Sequence, residues 1–468
     1  MASIVRRAAG VLQSQGRRSV IPGQPTPATH PELLAPGELQ PEITAGEFEA
    51  RRRQLLALLP DGAVAVVPAA PIVPMAGVIP YPYRPDADFL YLTGIQQPMS
   101  LAVLDAGGGY TLFVPDQDSW REQWDGVRLN PDAATELYGA HQAFPMAEMP
   151  VRLSSILSQA SSVVYDLERA GETSGVRHLA AFQELVKQDR VQHLRPLMHR
   201  LRWRKSSAEL SLMRRSASIA AASLASCMRA SHDMVHEHSL AAQFEYGCKA
   251  AGAQRMAYPP VVAGGADACT IHYSRNDKHV PGTDLLLLDG GCEFHGYCSD
   301  VTRTWPVGGR YSDAQRAVYD VVLDCHRRCL EVVQPGATLR QLHQLSVRLL
   351  CQGLRDLQVV ASKSVDALAQ TGSYRLFYPH SVGHWLGMDT HDTSSISHDR
   401  PLEPGVVLTI EPGLYIPDDE AYGSLRGVGV RIEDDVAVTG KDAGHEVLSR
   451  EVPVDPKQVE ALVGSCSH

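Results

Sequence analysis

Four separated segments of this chain carry polar residues where a bare fold has little use for them. The first is Leu285-Leu286-Leu287-Leu288-Asp289-Gly290-Gly291, a buried-strand pattern ending in a carboxylate. A carboxylate closing an apolar strand is costly unless it is paired or binds a cation. The second, Ser299-Asp300-Val301-Thr302-Arg303-Thr304-Trp305, places Asp300 across a hairpin from Asp289, with the turn expected near His295-Gly296. The third runs His380-Ser381-Val382-Gly383-His384-Trp385-Leu386-Gly387-Met388-Asp389-Thr390-His391-Asp392. The fourth pairs Thr409-Ile410-Glu411-Pro412-Gly413 with Gly429-Val430-Arg431-Ile432-Glu433-Asp434. Arg431 and Glu433 are two apart on an expected strand and so share a face. Taken singly, an Asp after a strand or a Glu-Pro-Gly reads as the start of a turn. Together the segments offer four carboxylates and one histidine on a β scaffold, a set suited to two divalent ions bridged by carboxylates. Such oxygen-rich donors favour a hard ion such as Mn²⁺, and Zn²⁺ or Co²⁺ also fit.

These segments need a framework to converge. Ser206-Ser207-Ala208-Glu209 has the form of a capping box and should open a long Ala- and Ser-rich helix. Ser312-Asp313-Ala314-Gln315 repeats the signal, and its helix carries Val318, Val321, Val322 and Cys325 on one face before Pro335-Gly336. Thr338-Leu339-Arg340-Gln341 opens another. Between the helices lie β-rich stretches at 284–307, 406–417 and 428–438. Helices segregated from strand clusters predict an α+β domain. Upstream, a helix is expected over Glu47 to Leu59, then strands at Ala63–Val67, Phe89–Leu92, Leu101–Leu104, Tyr110–Val114 and Val163–Asp166. This region reads as a smaller α/β domain. The expected organisation is a leader and linker over 1–40, an N-terminal domain over 41–200, a catalytic domain over 201–455 and a tail over 456–468.

The five motifs, in this order, resemble the pita-bread metallopeptidases, specifically aminopeptidase P, the Xaa-Pro aminopeptidases. The family's ligands are an Asp, a second Asp eleven residues on, a His in H-x-x-x-H-x-x-G, and two Glu. They fall here on Asp289, Asp300, His384, Glu411 and Glu433, all intact. Tyr81-Pro82-Tyr83-Arg84-Pro85-Asp86-Ala87-Asp88-Phe89-Leu90-Tyr91-Leu92-Thr93-Gly94 resembles the creatinase-type N-terminal domain of the same enzymes. The resemblance runs from about residue 40 to 455 and implies release of one N-terminal residue from peptides with proline in second place. It implies a proton-shuttling role for Glu411 and contacts of His272 and His391 with the scissile carbonyl and reacting amide. It places His380, Tyr415 and Arg431 around the proline ring, although Arg431 reads equally well as a partner of the metal-site carboxylates. It matches Trp124 to a tryptophan lining the first-residue pocket, and implies a homodimer. Thr390 departs from the pattern, which has Val or Ile before His391. A prolidase cutting only dipeptides has the same fold and ligands, and methionine aminopeptidase normally lacks the N-terminal domain. A catalytically inactive binding module of this fold would not need all five ligands.

The 468 residues carry a net charge of −10, which argues against nucleic-acid binding. No apolar run approaches a membrane span. Nine cysteines, none before Cys227 and none in a CxxC pair, read as free thiols of a reducing compartment. Cys325 and Cys329 should pack on one helix face. His232, His236 and His238 read as a solvated loop or helix end. The first 31 residues hold Arg6, Arg7, Arg17 and Arg18 with no acidic residue, the composition of a mitochondrial transit peptide. A proline-dense linker follows from Ile21 to Pro41. Location is therefore expected to be mitochondrial, with a cytoplasmic pool as the second option.

Overall fold

The computed structural model describes residues 20–168, 174–232, 234–360, 362–440 and 444–465. The four N-terminal arginines and Cys466 lie outside them. The chain divides into two compact units, one over residues up to Gln40 and Thr44–Leu194, the other over Pro41–Ile43 and Arg195 onward. The change of unit between Leu194 and Arg195 thus falls a few residues before the expected start of the catalytic domain at residue 201.

The first unit is built on a six-stranded mixed sheet. Ala63–Pro68 lies inside it, parallel to Ser162–Tyr165 and antiparallel to Leu101–Asp105. Its sequence Ala-Val-Ala-Val-Val-Pro is buried throughout, as expected of a strand covered on both faces. The first helix spans Ala45–Leu56, with the Thr44 side chain accepting from the Glu47 amide. Phe89–Leu92, expected as a strand, is instead part of the helix Ala87–Thr93. Local chemistry decides this. Asp86 accepts from the Phe89 amide at 2.8 Å, and Gly94 closes the helix at φ 72°. Six of its seven residues are buried, so no 3.6-residue hydrophobic period shows in the sequence.

The second unit is α+β and pseudo-symmetric. Its site-bearing strands are β1 (Leu285–Gly290), β2 (Val301–Pro306), β3 (Val407–Ile410), β4 (Gly413–Tyr415), β5 (Gly429–Arg431) and β6 (Asp434–Val438). β1 and β2 pair antiparallel, as do β3 with β6 and β4 with β5. A bridge between Thr302 and Glu433 joins the two halves. Each half is covered by a helix pair: Ser207–Ala230 with Glu237–Ala250, and Asp313–Val332 with Leu339–Asp356. This is the pita-bread arrangement. Both expected capping boxes form, at Ser206 and Ser312, and the helix opened at Thr338 carries a third.

Strand periodicity aims the site. Leu286, Leu288, Val301 and Trp305 point to the first helix pair and share a core with Ala220, Leu224 and Phe244. Burying each large side chain stabilises the unit by roughly 1.5–3 kcal/mol. The alternate residues Leu287 and Asp289 face the other way, and Leu287 packs with Val261, Ala263 and Tyr415. Asp289 is therefore carried to the opposite face by the same alternation that buries Leu286 and Leu288. The second core joins Val318, Val322, Cys325 and Cys329 to Leu408, Ile410, Val430 and Ile432, so the two cysteines are packing groups. All eight described cysteines are free. The segment after 455, expected as a tail, begins with the helix Pro456–Leu462. Asp455 caps it, and Val459 is buried in the first core. Among the described residues no helix is long and apolar enough to cross a membrane.

Candidate metal centre

Each of the five expected ligands sits at a strand end or beside one. Asp289 lies near the end of β1 and Asp300 directly before β2. The chain between them turns at His295 and Gly296, with φ 48° and 83°. Glu411 follows β3, held by its amide to the Val382 carbonyl at 2.8 Å. Glu433 lies between β5 and β6, held by its amide to Thr302 at 3.0 Å. His384 comes from the loop beside β3, where Gly383 is required: a Cβ there would lie 1.9 Å from the Thr409 carbonyl oxygen.

The side chains converge. Asp300, His384 and Glu433 each offer a ligand atom, all within 4.8 Å of one another. His384 Nε2 stands 3.3 Å from Asp300 and 3.7 Å from Glu411. Its Nδ1 lies 3.1 Å from the Trp385 carbonyl, a contact in which Nδ1–H donates and Nε2 is left as the ligand atom. The Tyr258 hydroxyl lies between Asp289, at 2.6 Å, and Asp300. Thr302 donates to Glu433 at 2.6 Å. Asp300 is braced from behind by Asp435, whose carboxylate accepts from its amide at 3.1 and 3.2 Å.

Four carboxylates face one guanidinium, Arg431, and two imidazoles, His384 and His380. Burial pushes Glu411 up to about 7. Burial, then Asp300, Glu411 and Asp289, raises Glu433 well above the carboxylate range. Asp289 is also raised by burial, against the pull of Arg431. Burial opposes a charge on His384, but the bond to Asp300 and the charge of Glu411 outweigh it and raise it to about 9. Fully ionised, the four carboxylates would carry more negative charge than Arg431 and His384 balance, which is why their protons are held so tightly. The cluster's oxygen-rich donors and oriented histidine fit divalent cations.

Arg431 is 2% exposed and reaches Asp289 at 2.5 Å, Thr302 at 3.1 Å and the Tyr415 hydroxyl at 2.8 Å. Of the two readings of Arg431, the contacts are those of a carboxylate partner. Tyr415 lies 2.8 Å from His380 Nε2. His380 Nδ1 lies 2.8 Å from the Ser381 carbonyl, so Nε2 is the acceptor and Tyr415 the donor. Burial, then Arg431, holds His380 neutral, down at about 3. A relay therefore links Asp289, Arg431, Tyr415 and His380. The His391 ring lies 4.3 Å from that of His384 and is open to solvent. His272 is exposed and bears electrostatically on both His380 and His391. The Thr390 hydroxyl is buried without a partner, in a place suited to an aliphatic side chain, and substitutes for no ligand. Trp124 belongs to the first unit, on the helix Ser119–Asp125. It is 71% exposed, with its ring 5.7 Å from Trp120. Of the histidine cluster, His236 caps the helix Glu237–Ala250 through its own ring and packs on His279. Tyr258 was not anticipated. Its only sequence signal is a lone tyrosine before Pro259-Pro260.

The comparisons with known proteins agree with this geometry. Residues 211–440 match the model of metallopeptidase family M24, and residues 48–165 that of the aminopeptidase P N-terminal domain. The chain is 44% identical over 447 residues to the mitochondrial intermediate cleaving peptidase 55 of Arabidopsis thaliana, covering 95% of this chain and 88% of that one. It is 38% identical over 467 residues to Xaa-Pro aminopeptidase 3 of Mus musculus, covering 95% and 91%. Among solved structures, the Pseudomonas aeruginosa aminopeptidase PepP superposes with a TM-score of 0.84 at 36% identity, covering 90% and 98%. Aminopeptidase P from E. coli with the inhibitor Pro-Leu gives 0.83 at 34% identity, over the same shares. With a carboxylate–histidine centre on this fold and such identity over nearly its whole length, the chain belongs to metallopeptidase family M24, in the aminopeptidase P group.

Proposed function

We propose that this protein is an Xaa-Pro aminopeptidase. It would release the first residue of peptides and imported proteins whose second residue is proline, using two divalent ions, with Mn²⁺ favoured. The observation that carries the reading is the relay of Asp289, Arg431, Tyr415 and His380. It connects the carboxylate cluster to a tyrosine and a neutral histidine suited to packing against a proline ring.

Asp289, Asp300, His384, Glu411 and Glu433 would hold the ions, which supply Lewis acidity and lower the pKa of water. Asp300 and Glu433, which converge with His384 in the cluster, would be shared most readily between the ions. Glu411 takes a proton from water and passes it to the leaving nitrogen. His391 and His272 donate hydrogen bonds to the scissile carbonyl and the reacting amide, where charge changes most. Arg431 neutralises Asp289 and fixes the Tyr415 hydroxyl, which in turn sets the tautomer of His380. The ring faces of His380 and Tyr415 then receive the proline.

The test compares Xaa-Pro-Yaa with Xaa-Ala-Yaa tripeptides by the rate at which the first amino acid is released. Losing part of an apolar ring contact is worth about 1–3 kcal/mol, or roughly 10–200-fold in kcat/KM. Equal rates would refute the proline site. An Xaa-Pro dipeptide cleaved faster than either would make the protein a prolidase.

The mitochondrial name of the Arabidopsis relative and the Arg-rich first 31 residues support a mitochondrial location. Residues 1–40 fused to a fluorescent reporter should carry it into mitochondria. A reporter spread through the cytosol would refute the targeting and leave the chemistry untouched.

A further inference from the structure

His384 and His391 sit on one loop, and that loop is pinned from below by a buried charge cluster that the mechanism above does not use. Asp392 directly follows His391 and is 3% exposed. One of its oxygens accepts from Arg202, and the other from Lys205 Nζ at 3.4 Å. Arg202 also reaches Asp389 at 2.7 Å, so it grips the loop on both sides of His391. Arg202 and Lys205 are 3% and 7% exposed. Arg202 ends the helix Arg195–Arg202 and Lys205 follows it, where the chain is tied to the rest of the unit through the Lys205 amide on the Gly405 carbonyl at 2.8 Å.

The seat is built for this carboxylate. A Cβ at Gly387 would lie 2.1 Å from Asp392 Oδ2 and 3.0 Å from the Lys205 stem, so the glycine makes room for the pair. The loop closes on itself through the Asp392 amide to the Trp385 carbonyl at 2.9 Å and the Gly387 amide to Asp389 at 3.2 Å. Its far side is held by Cys298, whose amide donates to Gly387 at 2.8 Å, two residues before Asp300. Thr393, next in line, takes φ 40°, a left-handed backbone that a β-branched residue adopts only where its surroundings impose it. Asp389 and Asp392 face Arg202 and Lys205, with the buried Glu209 also bearing on Lys205. A buried carboxylate held by two cations fixes its own position tightly, because losing either contact leaves charge uncompensated.

We propose that Asp392, clamped by Arg202 and Lys205, is a positioning residue for the reaction: it fixes His391 against His384 and so sets how the scissile carbonyl is met. The proposal rests on the peptidase reading above. It predicts a loss in kcat without a matching change in substrate or metal binding, because neither is touched directly.

A double-mutant cycle tests it on the full-length, metal-loaded protein, using any peptide that the wild type cleaves. Asp392→Asn should lower kcat about 10- to 100-fold, the scale of a misplaced catalytic group. KM and bound metal should stay within about twofold. His391→Ala should be slower still, and the double variant should be no slower than His391→Ala alone, since Asp392 acts only through it. Lys205→Met, which leaves Asp392 held by Arg202, should show a smaller loss with the same non-additivity, and carries the cycle if Asp392→Asn does not fold. Wild-type kcat in both clamp variants, or losses that multiply with that of His391→Ala, would overturn the proposal. Loss of proline preference in the wild type would sink the substrate reading alone. A chain that cleaves no peptide would overturn both.

Discussion

Replacing Glu411 with glutamine is expected to lower kcat on an Xaa-Pro tripeptide by about 10²- to 10⁴-fold, the usual worth of a positioned proton-transfer group. Glu411 stands where such a group must. Its two oxygens lie 3.7 Å from His384 and 3.6 Å from His380, between the two histidines proposed to ligate metal and to meet the proline ring. The hydrogen bond from its backbone N–H to the Val382 carbonyl fixes the backbone whatever the side chain. Glutamine keeps the volume and one oxygen donor but cannot take a proton from water. Thermal unfolding should move little and part of the metal should be retained, which separates a chemical loss from a structural one. A variant turning over near the wild-type rate would remove Glu411 from the proton path.

Much of this centre was legible in the sequence because its ligands are tied to local signals. A carboxylate ending a four-leucine strand, a turn at His295-Gly296, two capping boxes and a helix start at Thr338 each act over a few residues, and each forms where expected. The supports were not legible, because they act over long separations. Tyr258 reaches carboxylates 31 and 42 residues away, and Arg202 reaches Asp389 187 residues away. No local pattern announces such a pair. Arg431 shows the boundary between the two cases: its place in the motif was plain, but its contacts with Asp289 and Tyr415 emerge only in the fold. The misread stretch Phe89–Leu92 failed for a different reason. A helix buried on nearly every side loses its period, and alternating aromatic and aliphatic residues then imitate a strand. The Asp86 cap and Gly94 stop were present in the sequence and outweigh that alternation.

Removing divalent ions is expected to abolish turnover altogether, and to lower stability as well. Without them Asp289, Asp300, Glu411 and Glu433 are left with Arg431 and His384 as the nearby cations. Ions that bind only the folded chain stabilise it by about 2.7 kcal/mol per site at a hundredfold excess over Kd. Stripped protein should therefore melt at lower temperature and recover on adding Mn²⁺. An Asp300→Ala variant should show little of that recovery, since Asp300 meets both His384 and, through Tyr258, Asp289. The most direct test is to titrate Mn²⁺ into stripped protein, counting bound ions by mass spectrometry while measuring release of the first residue from an Xaa-Pro tripeptide. The centre described here predicts no turnover at zero occupancy and activity that rises with occupancy to a plateau at about two ions per chain. Full turnover in protein free of metal would contradict it.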